Sequence, residues 1–272
     1  MNLDEAARLL AAAGVENARA EARRLLAHAL GTTRDETLSG AMTPSQQQQV
    51  LFEAVVARRA AREPLAYITG HRAFWSLDLA VGPGVLVPRA DTETLIEAAL
   101  QIFPDRDAPL CIGDLGTGSG AILLAALSEF PQAAGLGFES SPEAFAYARI
   151  NAARQPRATV TLEDWSQAPD EAFDLLFCNP PYIPSADIES LEPEVRLHEP
   201  RAALDGGADG LDAYRALAGL LPRLLKPGGI AVLEIGLGQA AAMEPLFSGL
   251  ETLEIAPDLA GIPRAVVLAR PK

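Results

Sequence analysis

The sequence predicts an α/β protein, in which a mostly parallel sheet is covered by helices and preceded by a small helical block. From Pro109 onward, short apolar runs alternate with amphipathic ones, as in repeated strand–helix units. Residues 1–64 instead show helical periodicity throughout. The chain has 272 residues, 49% of them hydrophobic, which suffices for one large domain and a small companion. We therefore expect a helical domain over 1–64, a β-hairpin linker over 65–88 and an α/β domain over 89–272.

The helical block contains recognisable helix ends. The first helix places Leu3, Ala6, Ala7 and Leu10 on one face and stops at Gly14, and the second stops at Gly31.

Two further helix starts are predicted from capping patterns in this block. Thr33 and Glu36 have the spacing of a capping box. Thr43 is the expected N-cap of a long helix, with Pro44 and Gln46 as its first and third residues.

The segment that follows Pro64 is predicted to be β-structure. Apolar and polar residues alternate over Ala73–Val81 and Val85–Val87, and Gly82–Gly84 between them indicates a turn. A helix is expected from about Asp91 to Phe103.

The α/β region is predicted to contain repeated strands and helices. The expected strands are Leu110–Leu115, Gly135–Glu139, Ala158–Leu162, Phe173–Cys178, Ile230–Ile235, Glu251–Ala256 and Arg264–Ala269. The expected helices are Ala121–Phe130, Pro142–Ala153 and Asp212–Leu225.

A glycine-rich loop, "DLGTGSGA", joins the first of these strands to its helix. Glycines let backbone N–H groups approach a ligand, and the helix start favours negative charge. Glu139 ends the next strand, where a carboxylate can accept hydrogen bonds from ribose hydroxyls. The candidate cofactor-binding residues are Gly116, Thr117, Gly118, Ser119, Gly120 and Glu139. The loop itself is compatible with a nicotinamide dinucleotide or with S-adenosylmethionine, since both contain adenosine.

The stretch "FCNPPYIP" distinguishes these two cofactors. Two prolines fix the backbone directly after a buried strand and hold Asn179 in an extended conformation. The Asn179 side-chain oxygen and the Pro180 carbonyl could accept both N–H bonds of a planar NH₂ group, and Tyr182 could contact the plane of that group. Such a clamp aims the nitrogen lone pair at a methyl donor and stabilises the positive charge that grows on nitrogen. The candidate catalytic residues are Asn179, Pro180 and Tyr182, and Pro181 joins them as a candidate substrate contact.

Asp164 and Trp165 follow the third strand of the α/β region. An aspartate can accept a hydrogen bond from an adenine amino group, and an indole can pack on its ring. We therefore expect both side chains to bind the adenine of the cofactor; a core position is the alternative for Trp165.

Composition narrows the function classes further. The net charge of −14 falls on residues 65–272, because residues 1–64 hold eight basic and eight acidic residues. An acidic catalytic region disfavours nucleic acid as a partner.

Cys111 and Cys178 show no metal-ligand spacing and are expected to be reduced core residues, and the three histidines form no cluster. We expect no metal site, no membrane partner and no signal peptide, which leaves the cytoplasm as the default location.

Taken together, these motifs resemble the peptide-chain release factor glutamine N5-methyltransferases. The segments that carry the resemblance are "PLAYITGHRAFWSLDLAVGPGVLVPRADTETLIEAAL", "DLGTGSGAILLAAL", "EDWSQ", "FDLLFCNPPYIP", "HEPRAALDGGADGLDAYR" and "LKPGGIAVLEIG". They extend in order from about Pro64 to the C-terminus. The sequence departs from the family pattern at Glu139, where aspartate is more usual, at Ala90, where proline is common, and at "ESS".

The resemblance implies a seven-stranded, mostly parallel, Rossmann-like class I methyltransferase sheet behind a small helical domain. It implies S-adenosylmethionine as methyl donor and the glutamine of the Gly-Gly-Gln motif in class I release factors as acceptor. By matching motif, Gly116–Gly120, Glu139, Trp165 and Asn179 would contact the cofactor, and Asn179–Tyr182 would hold the glutamine. Arg89 and Glu93 would border the site, and the helical block would recognise the release factor.

Two other function classes are compatible with parts of the sequence. An N6-adenine or N4-cytosine nucleic-acid methyltransferase can use the same proline loop, but it should carry a basic groove. A binding module without catalysis would be expected to lack Asn179 or a loop glycine, and this chain has both.

Overall fold

In the computed structural model, which describes residues 1–33, 35–39 and 44–272, the chain forms two compact units. The helical unit consists of Met1–His71 and Glu192–His198. The sheet unit consists of Arg72–Leu191 and Glu199–Lys272.

The described residues form both α-helices and β-strands. The helices are α1 (Leu3–Ala12), α2 (Ala18–Leu30), α3 (Gln46–Ala60), α4 (Leu65–Thr69), α5 (Glu93–Ile102), α6 (Ala121–Glu129), α7 (Pro142–Ala152), α8 (Pro193–His198), α9 (Asp212–Leu224) and α10 (Ala240–Leu246). The strands are β1 (His71–Phe74), β2 (Leu77–Ala80), β3 (Cys111–Leu115), β4 (Ala134–Glu139), β5 (Ala158–Leu162), β6 (Phe173–Cys178), β7 (Leu225–Glu234), β8 (Glu251–Pro257) and β9 (Pro263–Ala269).

The helical unit packs around an apolar core to which Leu10, Leu25 and Phe52 contribute. One guanidinium is buried beside this core: Arg59 is 5% exposed and lies 2.5 Å from a Glu21 oxygen and 2.7 Å from a Glu194 oxygen. A buried cation needs such partners, because its desolvation is otherwise costly.

The predicted helix ends are mostly confirmed. Gly31 follows α2 with a φ of 67°, in the left-handed region that glycine tolerates. The capping box at Thr33 is present, with Glu36 Oε2 2.9 Å from the Thr33 amide nitrogen. Thr43 lies outside the described residues. The structure caps α3 with Ser45 instead, so Pro44 precedes the helix and Gln46 is its first residue.

The predicted hairpin exists, but its position was wrong. It consists of β1 and β2 and turns at Trp75, whose φ is 54°, whereas Val85–Val87 is not a strand. Leu65–Thr69, which the sequence placed in the β-linker, forms the short helix α4. A five-residue helix carries too little periodicity to stand out from sequence.

The main sheet has seven strands in the order β5-β4-β3-β6-β7-β9-β8. The first five strands are parallel, while β9 runs antiparallel to both β7 and β8. The seven predicted strands are therefore all present. The strand β7 starts earlier than expected, since it includes the Lys226–Gly229 turn sequence and pairs irregularly with the start of β6.

Both faces of the central strands of this sheet are buried, as a parallel sheet requires. Along β7, Ile230 and Val232 join the core that contains α5 and α6, whereas Ala231 and Leu233 join the core that contains α9 and α10. The continuous apolar sequence of β7 thus reflects burial on both sides.

Both cysteines are free thiols, but only one lies in the core. Cys178 is buried at the end of β6, whereas Cys111 is exposed at the start of β3, so the core position expected for Cys111 was wrong. No helix among the residues described is both long and apolar enough to span a bilayer.

Candidate active site

A cavity of about 340 Å³ opens at the carboxyl-terminal edge of the parallel strands. The sheet register makes this edge level: Leu115 at the end of β3 pairs with Phe138 on β4 and with Cys178 on β6. Loops that leave adjacent strands therefore meet at one place, which is where open α/β sheets bind ligands.

Most of the candidate residues line this cavity. They are Gly116, Thr117, Gly118, Ser119, Glu139, Asp164, Trp165, Asn179 and Pro181. Gly120, Pro180 and Tyr182 are not among its lining residues. Gly120 forms the N-cap of α6, and Pro180 and Tyr182 lie in the same loop as Asn179.

The glycine loop presents backbone to the cavity. Gly116 and Gly118 have φ values of 68° and 58°, and a Cβ added to either would meet no atom within 4 Å. Side chains at these positions would thus be strained and would project into open space beside the cavity. The Thr117 hydroxyl lies 2.5 Å from Asp114 Oδ2, which fixes the middle of the loop from below.

Asp114 is fully buried beneath this loop. Burial raises the pKa of its carboxyl to about 7, although the hydrogen bond from Thr117 acts in the opposite direction. The negative charge of Glu139 raises the pKa further.

Glu139 lies at the end of β4 and is 8% exposed. Its Oε2 accepts a hydrogen bond from the Gly118 N–H at 2.9 Å, and its Oε1 accepts one from the Ser141 N–H at 2.8 Å. Each carboxylate oxygen has a second lone pair, so the group can still accept hydroxyl donors from the cavity.

Asp164 and Trp165 form another part of the cavity wall. Asp164 Oδ1 accepts a hydrogen bond from the Ser166 N–H at 2.9 Å and so caps the short 3₁₀ turn Trp165–Gln167. Trp165 is partly buried against the core on the α9 side, and this packing restricts its ring.

An adenosine-containing group fits the residues that line the cavity. Open space above Gly116 and Gly118 leaves room for a ligand, and the fixed carboxylate of Glu139 lies at the next strand end. The indole of Trp165 supplies an aromatic surface in the same cavity. Nucleoside cofactors need this combination of close backbone, acceptor and aromatic surface.

The Asn179–Tyr182 loop is held from several sides. Asn179 Nδ2 donates to Thr92 Oγ1 at 3.3 Å, and the Tyr182 hydroxyl donates to Glu234 Oε1 at 3.0 Å. Gln239 Nε2 donates to the Tyr182 carbonyl at 3.0 Å. These contacts fix both ends of the loop.

A second loop packs closely on the first. A Cβ at Gly206 would lie 2.8 Å from the Pro181 carbonyl oxygen and 2.8 Å from Tyr182 Cα, so only glycine fits there. The Gly206 N–H donates to the Ile183 carbonyl at 2.8 Å. The "DGG" of the sequence therefore allows backbone to pack directly on the proline loop.

Asn179 lines the cavity, whereas Pro180 is buried and does not, but neither of their acceptor oxygens has a described donor. Among the residues that the structure describes, none donates a hydrogen bond to Asn179 Oδ1 or to the Pro180 carbonyl. Tyr182 is half-buried and its hydroxyl is turned to Glu234, so its ring packs partly on the core on the α9 side.

Arg89 lines the cavity as part of the "VPRADTE" segment. Its Nη2 lies 2.6 Å from Glu199 Oε1, and Glu199 Oε2 accepts a hydrogen bond from the Val87 N–H at 3.1 Å. Glu199 thereby fixes both the backbone and the guanidinium of this segment.

Sequence reasoning missed three polar residues at the site: Thr92, Glu199 and Glu234. Of these three, only Glu234 is marked in the sequence, because it is an acid at the end of the apolar run "IAVLE". The structure buries it to 1% exposure. Thr92 and Glu199 lie in segments that carried the resemblance, but no pattern in the neighbouring sequence indicates which residues they would bond to.

Comparison with known proteins identifies the two parts of the chain. A family model described as "PrmC N-terminal domain" matches residues 2–70, and one described as "Methyltransferase domain" matches residues 110–246. A methyltransferase structure from Pyrococcus furiosus aligns with a TM-score of 0.51 at 18% identity, covering 81% of this chain and 98% of that one, which supports the fold.

Two sequence relatives from different bacteria have the same name. A protein of Rhodospirillum rubrum named release factor glutamine methyltransferase is 47% identical over 98% of this chain and 84% of its own length. A protein of the same name from Geobacter sulfurreducens is 46% identical over 94% of this chain and 91% of its own. The chain therefore belongs to the release factor glutamine methyltransferase family, whose methyl donor is S-adenosylmethionine.

Proposed function

We propose that this protein methylates the side-chain amide nitrogen (N5) of the glutamine in the Gly-Gly-Gln motif of class I peptide-chain release factors. The observation that carries the proposal is the Asn179 carboxamide, which lines the cavity directly after β6 and whose Oδ1 accepts no hydrogen bond from a described residue. The names of the relatives support the choice of a release factor over a nucleic acid.

The cofactor would bind at the glycine-loop side of the cavity. We assign the Gly116–Gly120 backbone to its amino-acid portion, Glu139 to the ribose hydroxyls, and Asp164 and Trp165 to the adenine. When bound, S-adenosylmethionine supplies an electrophilic methyl group, and the electrons of the sulfur–methyl bond stay on sulfur. The amide nitrogen forms the new bond to the methyl carbon and releases one proton to solvent.

The chain's own part in the reaction is to orient a poor nucleophile. An amide nitrogen shares its lone pair with the carbonyl, so it attacks only when held in a productive geometry. Asn179 Oδ1 and the Pro180 carbonyl would each accept one N–H of the substrate glutamine. Both acceptors also stabilise the positive charge that develops on nitrogen during attack.

The loop that carries these acceptors is rigid, which favours this role. Pro180 and Pro181 fix their own backbone angles, and Gln239 and Gly206 pack or bond against the loop from outside. Acceptors that are already in place need no reorganisation during the reaction.

For the helical domain, predicted as residues 1–64, we propose recognition of the release factor. It matches the N-terminal family model, and it exposes apolar side chains on α3 at Val50 and Leu51, which are 62% and 43% exposed. Exposed apolar residues of this size suit contact with a protein more than with a phosphate backbone.

The test of the proposed function is methylation of a purified release factor by this protein and S-adenosylmethionine. Peptide mass spectrometry should find one methyl group on the glutamine of the Gly-Gly-Gln peptide. Label entering DNA or RNA in parallel reactions, with none in the release factor, would assign the clamp to a nucleic-acid substrate instead.

A further inference from the structure

Asn151, in the last turn of α7, bonds to two segments that are far apart in sequence. Its Oδ1 accepts a hydrogen bond from the Ala80 N–H at 2.8 Å, and its Nδ2 donates to the Ala80 carbonyl at 3.0 Å. The same Nδ2 donates to the Ser119 carbonyl at 2.8 Å. One side chain therefore links the end of β2 to the glycine loop.

The hydrogen-bonding groups of a carboxamide match this position. An asparagine side chain has two N–H donors and one acceptor oxygen, and at Asn151 both donors and the oxygen have partners. Because Ala80 presents both its N–H and its carbonyl, only one orientation of the carboxamide satisfies these contacts. A carboxylate at this position could not donate to either carbonyl.

The chain that follows β2 packs closely along α7. A Cβ added to Gly82 would overlap the Tyr147 hydroxyl, and one added to Gly84 would lie 2.6 Å from Glu143 Cβ. Glu143, Tyr147 and Asn151 are spaced four residues apart, so they share one face of the helix. The glycines that predicted a hairpin turn instead allow the backbone to lie directly on α7.

This packed segment leads directly into the wall of the cavity. Gly84, Leu86, Pro88 and Arg89 line one part of the cavity, and Gly116–Ser119 lines another. The asparagine is not among the lining residues, so it acts on the cavity through the two segments to which it bonds.

We propose that Asn151 is a positioning residue for the cofactor, because it fixes the glycine loop and the segment that follows β2 at one separation. A cofactor that contacts both segments then binds to walls that are already in place, and binding costs less conformational entropy. The proposal rests on the function proposed above only for the place where S-adenosylmethionine binds.

The nearly isosteric change Asn151→Leu tests this directly, because it removes all three hydrogen bonds. We expect the dissociation constant of S-adenosylmethionine, measured by calorimetry without an acceptor, to rise about tenfold or more. The kcat at saturating cofactor should change less, because the bound cofactor then holds the two segments itself.

The matched control is Arg157→Leu, which also removes a side chain bonded to three backbone groups. Arg157 donates to the carbonyls of Leu127, Phe130 and Ala133. It directly precedes β5, and thus lies at the edge of the parallel strands opposite the cavity. We expect this variant to lose stability in thermal unfolding and to keep the wild-type affinity for the cofactor.

A second variant, Gly84→Ala, disturbs the same packing without changing Asn151. The new Cβ would meet Glu143 Cβ, and Gly84 has a φ of 95°, so the segment must move away from α7. We expect a loss of cofactor affinity comparable with that of Asn151→Leu. The double variant should lose less than the product of the two single effects, because both changes release the same segment.

Unchanged cofactor affinity in Asn151→Leu overturns the proposal, as does an equal loss of affinity in Arg157→Leu. If Asn151→Leu does not fold, wild-type affinity in Gly84→Ala overturns it instead.

Glu139→Ala, measured in parallel, tests the proposed cofactor site itself. Loss of affinity in Glu139→Ala alone refutes only the role of Asn151, whereas wild-type affinity in all of these variants refutes the proposed site as well. Because no acceptor is present in these measurements, a failure to methylate a release factor would leave their result unaffected.

Discussion

Replacing Asn179 with alanine removes one of the two acceptors assigned to the substrate NH₂ group. The other acceptor, the Pro180 carbonyl, is backbone and remains in place. Loss of one pre-placed polar contact to a developing charge costs about 10²–10³ in rate, or roughly 3 kcal/mol. We therefore expect kcat to fall by that factor rather than to vanish.

The effect of Asn179→Ala on stability should be much smaller. The side chain is half-buried, and its described hydrogen bond to Thr92 is long at 3.3 Å. Its loss should reduce the free energy of unfolding by about 1 kcal/mol. Cofactor affinity should change less than turnover, because most of the residues assigned to the cofactor lie on other strands.

Single-turnover methylation with saturating S-adenosylmethionine separates chemistry from binding. Gln132→Ala is the control, because it removes an exposed amide just before β4, at the opposite edge of the sheet. Turnover of Asn179→Ala equal to that of the wild type would remove Asn179 from the mechanism. A loss confined to cofactor affinity would assign it to cofactor binding alone.

Three further predictions concern the cofactor, the buried acid and the helical domain. Glu139→Ala should weaken S-adenosylmethionine binding about 10- to 100-fold, because a charged acceptor is lost; unchanged affinity in calorimetry would contradict the ribose assignment. Asp114 keeps its proton in the folded state up to a pKa of about 7, whereas the unfolded state releases it near 4. The wild type should therefore lose stability, by on the order of 4 kcal/mol at most, as pH rises from about 4 to 7, and denaturant unfolding of Asp114→Asn should lack this loss. The double change Val50→Ser and Leu51→Ser should raise KM for the release factor with kcat and cofactor affinity unchanged, and an unaltered KM would refute recognition through α3.

The sequence predicted the strands of the main sheet because each carries a local pattern, either an apolar run as in β6 or an alternation of polar and apolar residues as in β5. The hairpin was harder, since Gly82–Gly84 is a strong turn signal and the actual turn at Trp75 uses a left-handed tryptophan. Such a conformation is held by tertiary contacts: the Trp75 N–H donates to Glu93 and its indole N–H donates to Glu129. The conformational propensity of the residues around Trp75 gives no information about these two long-range hydrogen bonds.

The candidate site was predictable where one motif carries several ligand-facing groups. The glycine loop and the proline loop are each contiguous, and most of their residues line one cavity. The network behind them was not predictable, because Thr92 and Asn179 are 87 residues apart and Tyr182 and Glu234 are 52 apart. The parallel register of β6 and β7, in which Cys178 pairs with Leu233, brings the proline loop beside Glu234.

The central claim, that the Asn179–Pro180 acceptors present a glutamine amide to the methyl donor, is tested most directly by mass spectrometry. A class I release factor is incubated with the wild type or with Asn179→Ala, and the Gly-Gly-Gln peptide is sequenced in the spectrometer. The account predicts one added methyl group on that glutamine with the wild type, formed about 10²–10³ times more slowly by the variant. Methyl transfer to another residue, or equal rates for the two proteins, would contradict it.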